Sequence, residues 1–198
     1  MEYIAPDWEE IYEMCIELSE KIKQSGFSPD IIVGVARGGW IPARLISDFL
    51  NNPNVANVRI QFYEEVGKTS SKPIITQPVS TSIKGKKVLA VDDVADTGES
   101  LKALYLHLKE KGAAEIKIAT LHVKPKSSFQ PDFYVKETSA WIIYPHERFE
   151  FIKDFIKKIK SEGKGIEEAK EKLIKIGLKS ELVNKLVEMY LEDFYGII

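Results

Sequence analysis

The stretch that decides the fold is Val88-Leu89-Ala90-Val91-Asp92-Asp93-Val94-Ala95-Asp96-Thr97-Gly98-Glu99-Ser100. Its first four residues form a continuous apolar run, as in a strand that is buried on both faces of a parallel sheet. Residues 101–111 have helical periodicity, and Gly112 is placed to end that helix. We therefore predict a strand at 88–91, a loop at 92–100 and a helix at 101–111.

The same order of elements occurs earlier in the chain. Residues 31–35 are an apolar run, residues 36–39 (Ala-Arg-Gly-Gly) form a turn, and residues 41–50 have a helical pattern. Further strands are predicted at 57–63 and 116–121. Strands that alternate with helices indicate an α/β fold with a central, mostly parallel sheet flanked by helices. Ligands of such sheets bind beyond the carboxyl ends of the strands, where both loops are expected.

The overall charge excludes some classes of partner. The 198 residues carry a formal net charge of −2, with a pI of about 6.0, so we expect no nucleic acid and no membrane partner. No apolar run approaches the roughly 18 residues of a membrane span. The single cysteine, Cys15, cannot form an internal disulfide, and we expect it on the buried face of a helix at 8–24 in a cytoplasmic protein.

The composition changes after Glu150. Residues 151–198 contain no proline and no arginine, and their apolar residues recur at helical spacing. We expect a main domain at residues 1–150 and a small helical C-terminal extension at 151–198. The helices of the extension are predicted near 150–160, 166–176 and 180–194.

The loop after the strand at 88–91 carries groups that suit a sugar phosphate. The backbone N–H groups of residues 96–100, the positive helix end and the hydroxyls of Thr97 and Ser100 can hold a phosphate. Asp92 and Asp93 can bind sugar hydroxyls, directly or through hydrated Mg²⁺. The alternative is that Asp96 or Thr97 only caps the helix. A cap does not explain two adjacent carboxylates after a buried strand, because like charges repel each other there.

Residues 88–100 resemble the phosphoribosyl-pyrophosphate signature of the type I phosphoribosyltransferases. The resemblance implies the type I phosphoribosyltransferase fold, phosphoribosyl pyrophosphate as a substrate, and Mg²⁺ held by Asp92 and Asp93. We expect Asp96 to be the general base. The residues of this stretch expected to bind substrate are Asp92, Asp93, Ala95, Asp96, Thr97, Gly98, Glu99 and Ser100.

Two earlier segments resemble other parts of the same family. The turn at 36–39 resembles its pyrophosphate loop, in which N–H groups and an arginine hold the leaving diphosphate, often beside a non-proline cis peptide. Arg37 is therefore expected to act in catalysis, and Ala36, Gly38 and Gly39 to bind substrate. Taken alone, such a turn is more often a tight connection between a strand and a helix. Residues 64–73 are polar and lack periodicity, and they occupy the place of the family's mobile catalytic loop.

Two later segments resemble the purine-recognition segments of bacterial xanthine-guanine and archaeal purine phosphoribosyltransferases, at 121–125 and 141–147. By this resemblance Lys124 donates to the purine O6, Trp141 stacks on the ring, and Ile142 and the backbone at Glu147 meet the pyrimidine edge. A lysine donor complements a 6-oxo acceptor, and an indole gives planar contact area. The alternatives are that Lys124 is a solvated charge and Trp141 a core residue.

These features predict a purine phosphoribosyltransferase of purine salvage that uses phosphoribosyl pyrophosphate and a 6-oxopurine (hypoxanthine, guanine or xanthine). Adenine is the alternative base, because His146 stands where the pattern usually has Trp, and Glu147 where it often has Asp. A transcriptional regulator that senses phosphoribosyl pyrophosphate is less favoured, because residues 180–194 carry several acids and one lysine, and acids repel a phosphate backbone. Relatives of this family are commonly dimers or tetramers, so we expect a homodimer or homotetramer.

Overall fold

The computed structural model describes residues 2–64 and 71–195. Its strands are β1 (Tyr3–Ile4), β2 (Ile31–Ala36), β3 (Val55–Glu64), β4 (Ser71–Gln77), β5 (Lys87–Ala95), β6 (Glu115–Val123), β7 (Phe133–Glu137) and β8 (Trp141–Ile142). Its helices are α1 (Trp8–Gln24), α2 (Trp40–Phe49), α3 (Glu99–Glu110), α4 (Arg148–Ser161), α5 (Ile166–Lys175) and α6 (Ser180–Tyr195). All six helices were predicted from periodicity, and that prediction is confirmed.

The chain forms two compact units. The larger unit is Glu9–Ser139, and the smaller unit combines Met1–Trp8 with Ala140–Ile198. The segment at 141–147, which composition groups with the residues before 150, therefore belongs to the smaller unit, together with the C-terminal helices.

The larger unit contains a six-stranded sheet in the order β4-β3-β2-β5-β6-β7. Every neighbouring pair is parallel except β3 and β4, which confirms the mostly parallel sheet. Helix α2 packs on one face, where a Cβ built on Gly34 would lie 3.0 Å from the Cβ of Ala43. The odd-numbered apolar residues of β2 pack with Leu101, Leu104 and Leu108 of α3 in one buried cluster. Burial of these two faces is the main favourable contribution to the stability of the unit.

Strand β5 is longer than predicted, because it continues through both carboxylates to Ala95. The predicted loop at 92–100 is wrong in its first four residues. Apolar periodicity stops at Val91, but the parallel ladder to β6 continues as far as the Ala95–Val123 pair. The ladder to β2 ends at the Gly34–Val91 pair, so β5 extends past the last rung on that side.

The prediction of one long loop at 64–73 is wrong for the residues that lie in strands. Glu64 ends β3 and Ser71 begins β4, and these two strands pair in antiparallel register. Residues 65–70 lie outside the described part of the chain. Strand β4 lies at the edge of the sheet, where a proline such as Pro73 is tolerated and alternation of apolar residues is weak.

The smaller unit contains a two-stranded parallel sheet, in which Tyr3 pairs with Trp141 and Ile4 with Ile142. Helices α4, α5 and α6 pack around a core of their own, and its fully buried members include Ile152, Ile156, Ala169, Leu173, Val183 and Val187. Within the described residues, none of the helices has both the length and the apolar character of a membrane span.

Cys15 lies on the buried stripe of α1, as predicted. Burial raises the pKa of its thiol to about 12, because the apolar surroundings disfavour the thiolate. The thiol is therefore a small core group without nucleophilic character at neutral pH.

Candidate active site

The glycine turn after β2 lies directly on the end of β5. A Cβ built on Gly39 would overlap the carbonyl oxygen of Val91 and would lie 2.8 Å from the backbone nitrogen of Val35. A Cβ built on Gly38 would overlap the carboxylate of Asp93, with Oδ1 at 2.8 Å. A side chain at position 39 would clash with the backbone, and one at position 38 would force the carboxylate of Asp93 to move, since Cβ atoms do not approach other heavy atoms so closely in a packed protein. This requirement goes beyond that of a simple strand-to-helix connection.

The turn also has the cis peptide that the family resemblance implies, between Ala36 and Arg37. Ala36 is buried as the last residue of β2, whereas the side chain of Arg37 is exposed. The turn ends at Gly39, which is the N-cap of α2. Arg37 is thus a solvent-accessible cation at the carboxyl edge of the sheet, beside the glycine that contacts Asp93.

The acidic pair lies next to this turn. Asp93 is buried, at 6% exposure, and Asp92 is half-buried. The backbone N–H of Asp93 donates a hydrogen bond of 3.0 Å to Oδ1 of Asp92. Both residues contribute to the wall of one cavity of about 340 Å³, so the pair predicted from the sequence lies beside a common space.

The residues after β5 complete the wall of that cavity. Gly98 has φ of +84°, a left-handed conformation that glycine adopts without strain, and it is the N-cap of α3. Among the described residues, no side chain caps α3; the nearest contact is a long hydrogen bond of 3.4 Å from the N–H of Glu99 to Oγ1 of Thr97. The alternative that Asp96 or Thr97 serves as the helix cap is therefore not supported. The cavity is lined by Phe62, Asp92, Asp93, Val94, Asp96, Thr97, Gly98, Ser100 and Leu101.

Two lysines lie beside Asp96. Nζ of Lys126 is 3.3 Å from Oδ1 of Asp96, and both side chains are largely exposed. Lys124 is buried, at 7% exposure, and its backbone N–H donates to the carbonyl of Ala95 at 2.9 Å. Burial lowers the pKa of Lys124, Lys126 lowers it further, and Asp96 partly opposes both effects. The alternative that Lys124 is a solvated surface charge is therefore wrong.

The second base segment lies in the smaller unit. Trp141 is 50% exposed, so the alternative that it is a core residue is wrong. Ile142 is buried beside it, and Glu147 is the N-cap of α4. The ring of His146 stacks on Tyr144, with centroids 5.2 Å apart and an interplanar angle of 16°. An aromatic stack thus exists at the position where the family pattern has Trp.

The structure therefore gathers most of the predicted site in the larger unit. The residues gathered at the carboxyl edge of its sheet are Ala36, Arg37, Gly38, Gly39, Asp92, Asp93, Ala95, Asp96, Thr97, Gly98, Glu99, Ser100 and Lys124. Trp141, Ile142 and Glu147 belong to the smaller unit.

Two residues near the acidic pair, Phe62 and Lys126, were not among those predicted from the sequence. Phe62 was placed only as part of a strand, although it stays 50% exposed and lines the cavity. Lys126 could have been noticed as a second cation in the polar turn that follows β6, at the same edge of the sheet as Asp96.

The mostly parallel sheet places the protein in the class of α/β proteins whose ligands bind beyond the carboxyl ends of the strands, and the helix start at that edge suits an anionic group. Residues 7–155 match the family model described as a phosphoribosyl transferase domain. Because this match covers more than half of the chain, the protein belongs to the phosphoribosyltransferase domain family.

Individual relatives agree with this assignment. The crystal structure of a purine phosphoribosyltransferase from Pyrococcus horikoshii Ot3 is 40% identical, with a TM-score of 0.66, and the match covers 74% of this chain and 94% of that one. The hypoxanthine-guanine phosphoribosyltransferase of Schizosaccharomyces pombe is 28% identical over 180 residues, covering 71% of this chain and 86% of the relative. The xanthine-guanine phosphoribosyltransferase of Nitratidesulfovibrio vulgaris is 29% identical over 140 residues, covering 70% and 80%.

Replacing Gly38 with alanine tests the contact between the turn and the acidic pair. The new Cβ would displace the carboxylate of Asp93, so we expect the affinity for phosphoribosyl pyrophosphate to fall by about 10-fold or more, as for loss of a hydrogen bond to a charged group. Isothermal titration calorimetry measures the change. Gly165→Ala is the matched control, because that glycine has φ of −84° and nothing within 4 Å of its built Cβ. Equal affinity in both variants would contradict the assigned contact.

His122 makes the stability of the larger unit dependent on pH. Its pKa is lowered to about 4, chiefly by burial, with Lys136 and Lys124 adding to the effect and Asp93 opposing it. In the unfolded chain the imidazole of His122 binds a proton as the pH falls below 6.5. In the folded protein the same imidazole stays neutral until about pH 4. The free energy of unfolding is therefore expected to fall by up to about 3 kcal/mol over this window as the pH decreases.

Urea unfolding at several pH values measures this dependence, and the variant His122→Gln should show a smaller loss between pH 6.5 and pH 4. Proton NMR of the folded protein gives the pKa of His122 directly. A titration of that imidazole near its ordinary pKa would contradict the prediction.

Proposed function

We propose that this protein is a purine phosphoribosyltransferase, which transfers the 5-phosphoribosyl group of phosphoribosyl pyrophosphate to a 6-oxopurine in purine salvage. The observation that carries the proposal is the cavity in which the acidic pair, Asp96 and the start of α3 face one space. The names of the relatives from three organisms, which are purine, hypoxanthine-guanine and xanthine-guanine enzymes, support the choice of a purine base. Adenine remains the alternative base.

The signature residues are assigned to the ribose phosphate. The N–H groups of residues 96–100 and the hydroxyls of Thr97 and Ser100 would hold the 5-phosphate, because an uncapped helix start attracts an anion. Glu99 lies within this turn, and Ala95 directly precedes it. Asp92 and Asp93 would face the ribose hydroxyls, and carboxylates accept hydrogen bonds from hydroxyl groups.

The same carboxylates fit a magnesium ion. Mg²⁺ prefers hard oxygen ligands and is commonly bound through one or two carboxylates and substrate phosphates. Asp92 and Asp93 both line the cavity, and the absence of a side chain at Gly38 leaves space for the carboxylate of Asp93. When bound, the ion would supply neutralisation of the charge on the diphosphate.

The leaving diphosphate is assigned to the glycine turn. As the C1′–O bond breaks, its electron pair goes to the diphosphate, and the ribose gains oxocarbenium character. Arg37 and the N–H groups of residues 37 and 38 would stabilise that negative charge, because donors already in place do not have to reorganise during the reaction. The N–H of Gly39 donates to the carbonyl of Val35 at 2.9 Å instead, so Gly39 would serve by its lack of a side chain. The N9 atom of the purine then bonds to C1′.

Asp96 is proposed as the general base, which accepts the proton from N7 of the purine as the new bond forms. It lies on the cavity wall and is exposed, so a bound base could reach it. Lys124 would donate to the 6-oxo group from its buried position, and both the charged and the neutral amine can do so. Trp141 would stack on the purine with its exposed ring, with Ile142 and Glu147 at the pyrimidine edge.

Three finer statements belong to the same proposal. The protein is assigned to the cytoplasm, and its working form is a homodimer or homotetramer. Residues 1–150 are assigned to catalysis with base recognition, and residues 151–198 to a helical extension.

Product formation from phosphoribosyl pyrophosphate and single bases tests the proposed function. Hypoxanthine, guanine, xanthine and adenine are offered separately with Mg²⁺, and the nucleotide is quantified by liquid chromatography. We expect product with at least one 6-oxopurine, because Lys124 donates to a 6-oxo group and repels a 6-amino group. Exclusive use of adenine would contradict the role of Lys124, and no product with any base would contradict the whole proposal.

Replacing Asp96 with asparagine tests the general base. The amide keeps the size of the side chain but cannot accept the proton, so we expect kcat to fall by about 100-fold or more, with little change in KM. Steady-state kinetics measure both constants. Glu110→Gln is the control, since it removes an exposed acid at the far end of α3. A kcat equal to that of the unmodified enzyme would remove Asp96 from the mechanism.

A further inference from the structure

The segment after β6, residues 124–129, packs against residues 95–99, which include most of the turn assigned to the phosphate. We call the first the β6–β7 segment and the second the phosphate turn. The two segments pack closely, because a Cβ built on Gly98 would overlap the backbone nitrogen of Phe129 and would lie 2.8 Å from Oγ of Ser127. Gly98 is therefore required by this neighbour as well as by its own left-handed φ.

Hydrogen bonds join the two segments at alternate carbonyls. The N–H of Lys124 donates to the carbonyl of Ala95 at 2.9 Å. The carbonyl of Thr97 accepts two hydrogen bonds from Ser128, one from its N–H at 2.9 Å and one from its hydroxyl at 2.7 Å. Oε1 of Glu99 lies farther from the same hydroxyl, at 3.2 Å, so the single hydroxyl hydrogen favours Thr97.

These bonds determine where the N–H groups of the phosphate turn point. In a trans peptide the C=O and the following N–H point in opposite directions. The carbonyls of Ala95 and Thr97 point to the β6–β7 segment, so the N–H groups of Asp96 and Gly98 point away from it. The cavity is lined by Asp96 and Gly98 and by no residue of the β6–β7 segment among those described.

The side chains reinforce this arrangement. Lys126, in the middle of the β6–β7 segment, lies 3.3 Å from the carboxylate of Asp96. Within the segment, the N–H of Ser127 donates to the carbonyl of Lys124 at 2.9 Å and its hydroxyl donates to the carbonyl of Phe129 at 2.8 Å. The segment is therefore internally ordered, and it presents one N–H donor to Ala95, two donors to Thr97 and one cation to Asp96.

We propose that the β6–β7 segment is a positioning element for phosphate binding, in which Ser128 holds the carbonyl of Thr97 so that the N–H of Gly98 faces the 5-phosphate of the sugar. Ser128 acts through Thr97 and does not touch the substrate. The inference rests on the proposed function, since it assigns a further residue to the same site.

The test is the variant Ser128→Ala, which removes the 2.7 Å hydrogen bond and keeps the backbone bond. We expect KM for phosphoribosyl pyrophosphate to rise about five-fold, the factor that corresponds to loss of one hydrogen bond. The kcat and the KM for the purine should stay unchanged. The Kd of ribose 5-phosphate, measured by calorimetry, should rise by a similar factor, and Ser128→Thr should restore both values because it retains the hydroxyl.

Ser161→Ala is the matched control. Ser161 is also exposed, and its hydroxyl donates to the carbonyl of Lys158 at the same distance, 2.7 Å, but in the smaller unit. This variant should change neither KM nor Kd.

The outcomes separate the two proposals. If the unmodified protein forms nucleotide but Ser128→Ala keeps its KM and Kd, the positioning role is overturned and the proposed function stands. A fall in kcat or in thermal stability with both constants unchanged overturns it equally, because a merely structural role predicts that pattern. If the unmodified protein neither binds ribose 5-phosphate nor forms nucleotide, both proposals are overturned.

Discussion

The contact between the glycine turn and the end of β5 is the constraint on which the rest of the site depends. Strands β2 and β5 are neighbours in the sheet, and their ladder ends at the Gly34–Val91 pair. Beyond that point the backbone of Gly39 lies on the carbonyl of Val91, and Gly38 lies on the carboxylate of Asp93. A larger residue at position 39 would separate the two loops, and with them the arginine from the acidic pair, whereas one at position 38 would displace the carboxylate of Asp93.

Charge distribution follows from this arrangement. The three aspartates of the signature lie on the cavity wall, and the neighbouring turns carry cations: Arg37 in one, Lys124 and Lys126 in the other. A protein with a net charge of −2 has no general attraction for anions. A phosphorylated ligand is therefore attracted by local donors, namely the uncapped start of α3 and these three side chains.

The elements predicted correctly from sequence are those in which local pattern and final environment agree. The apolar runs at 31–35 and 88–91 are buried on both faces of the sheet, and the six helices have continuous apolar stripes. The mispredicted segments depend on partners elsewhere in the chain. Asp92 and Asp93 lie within a strand because β6 continues beside them, and β4 forms because β3 offers an open edge.

The site shows the same division. The signature and the glycine turn could be identified because each is contiguous and chemically distinctive. Ser128 and Thr97 lie 31 positions apart in the chain, and no local sequence pattern predicts their contact. The exposure of Trp141 and the burial of Lys124 are likewise outcomes of packing. Trp141 lies in an apolar run, which favours burial, and Lys124 is a charged residue before a proline, which favours exposure.

The pairing of β1 with β8 has a practical consequence for handling the protein. The backbone N–H of Trp141 donates to the carbonyl of Glu2 at 2.8 Å, and the backbone N–H of Ile143 donates to the carbonyl of Ile4 at 2.8 Å. The backbone around the indole proposed to stack on the purine is thus held by residues 2–4. Deleting residues 2–4 would remove this pairing and disturb the proposed base recognition, although the two segments lie more than a hundred residues apart in the chain.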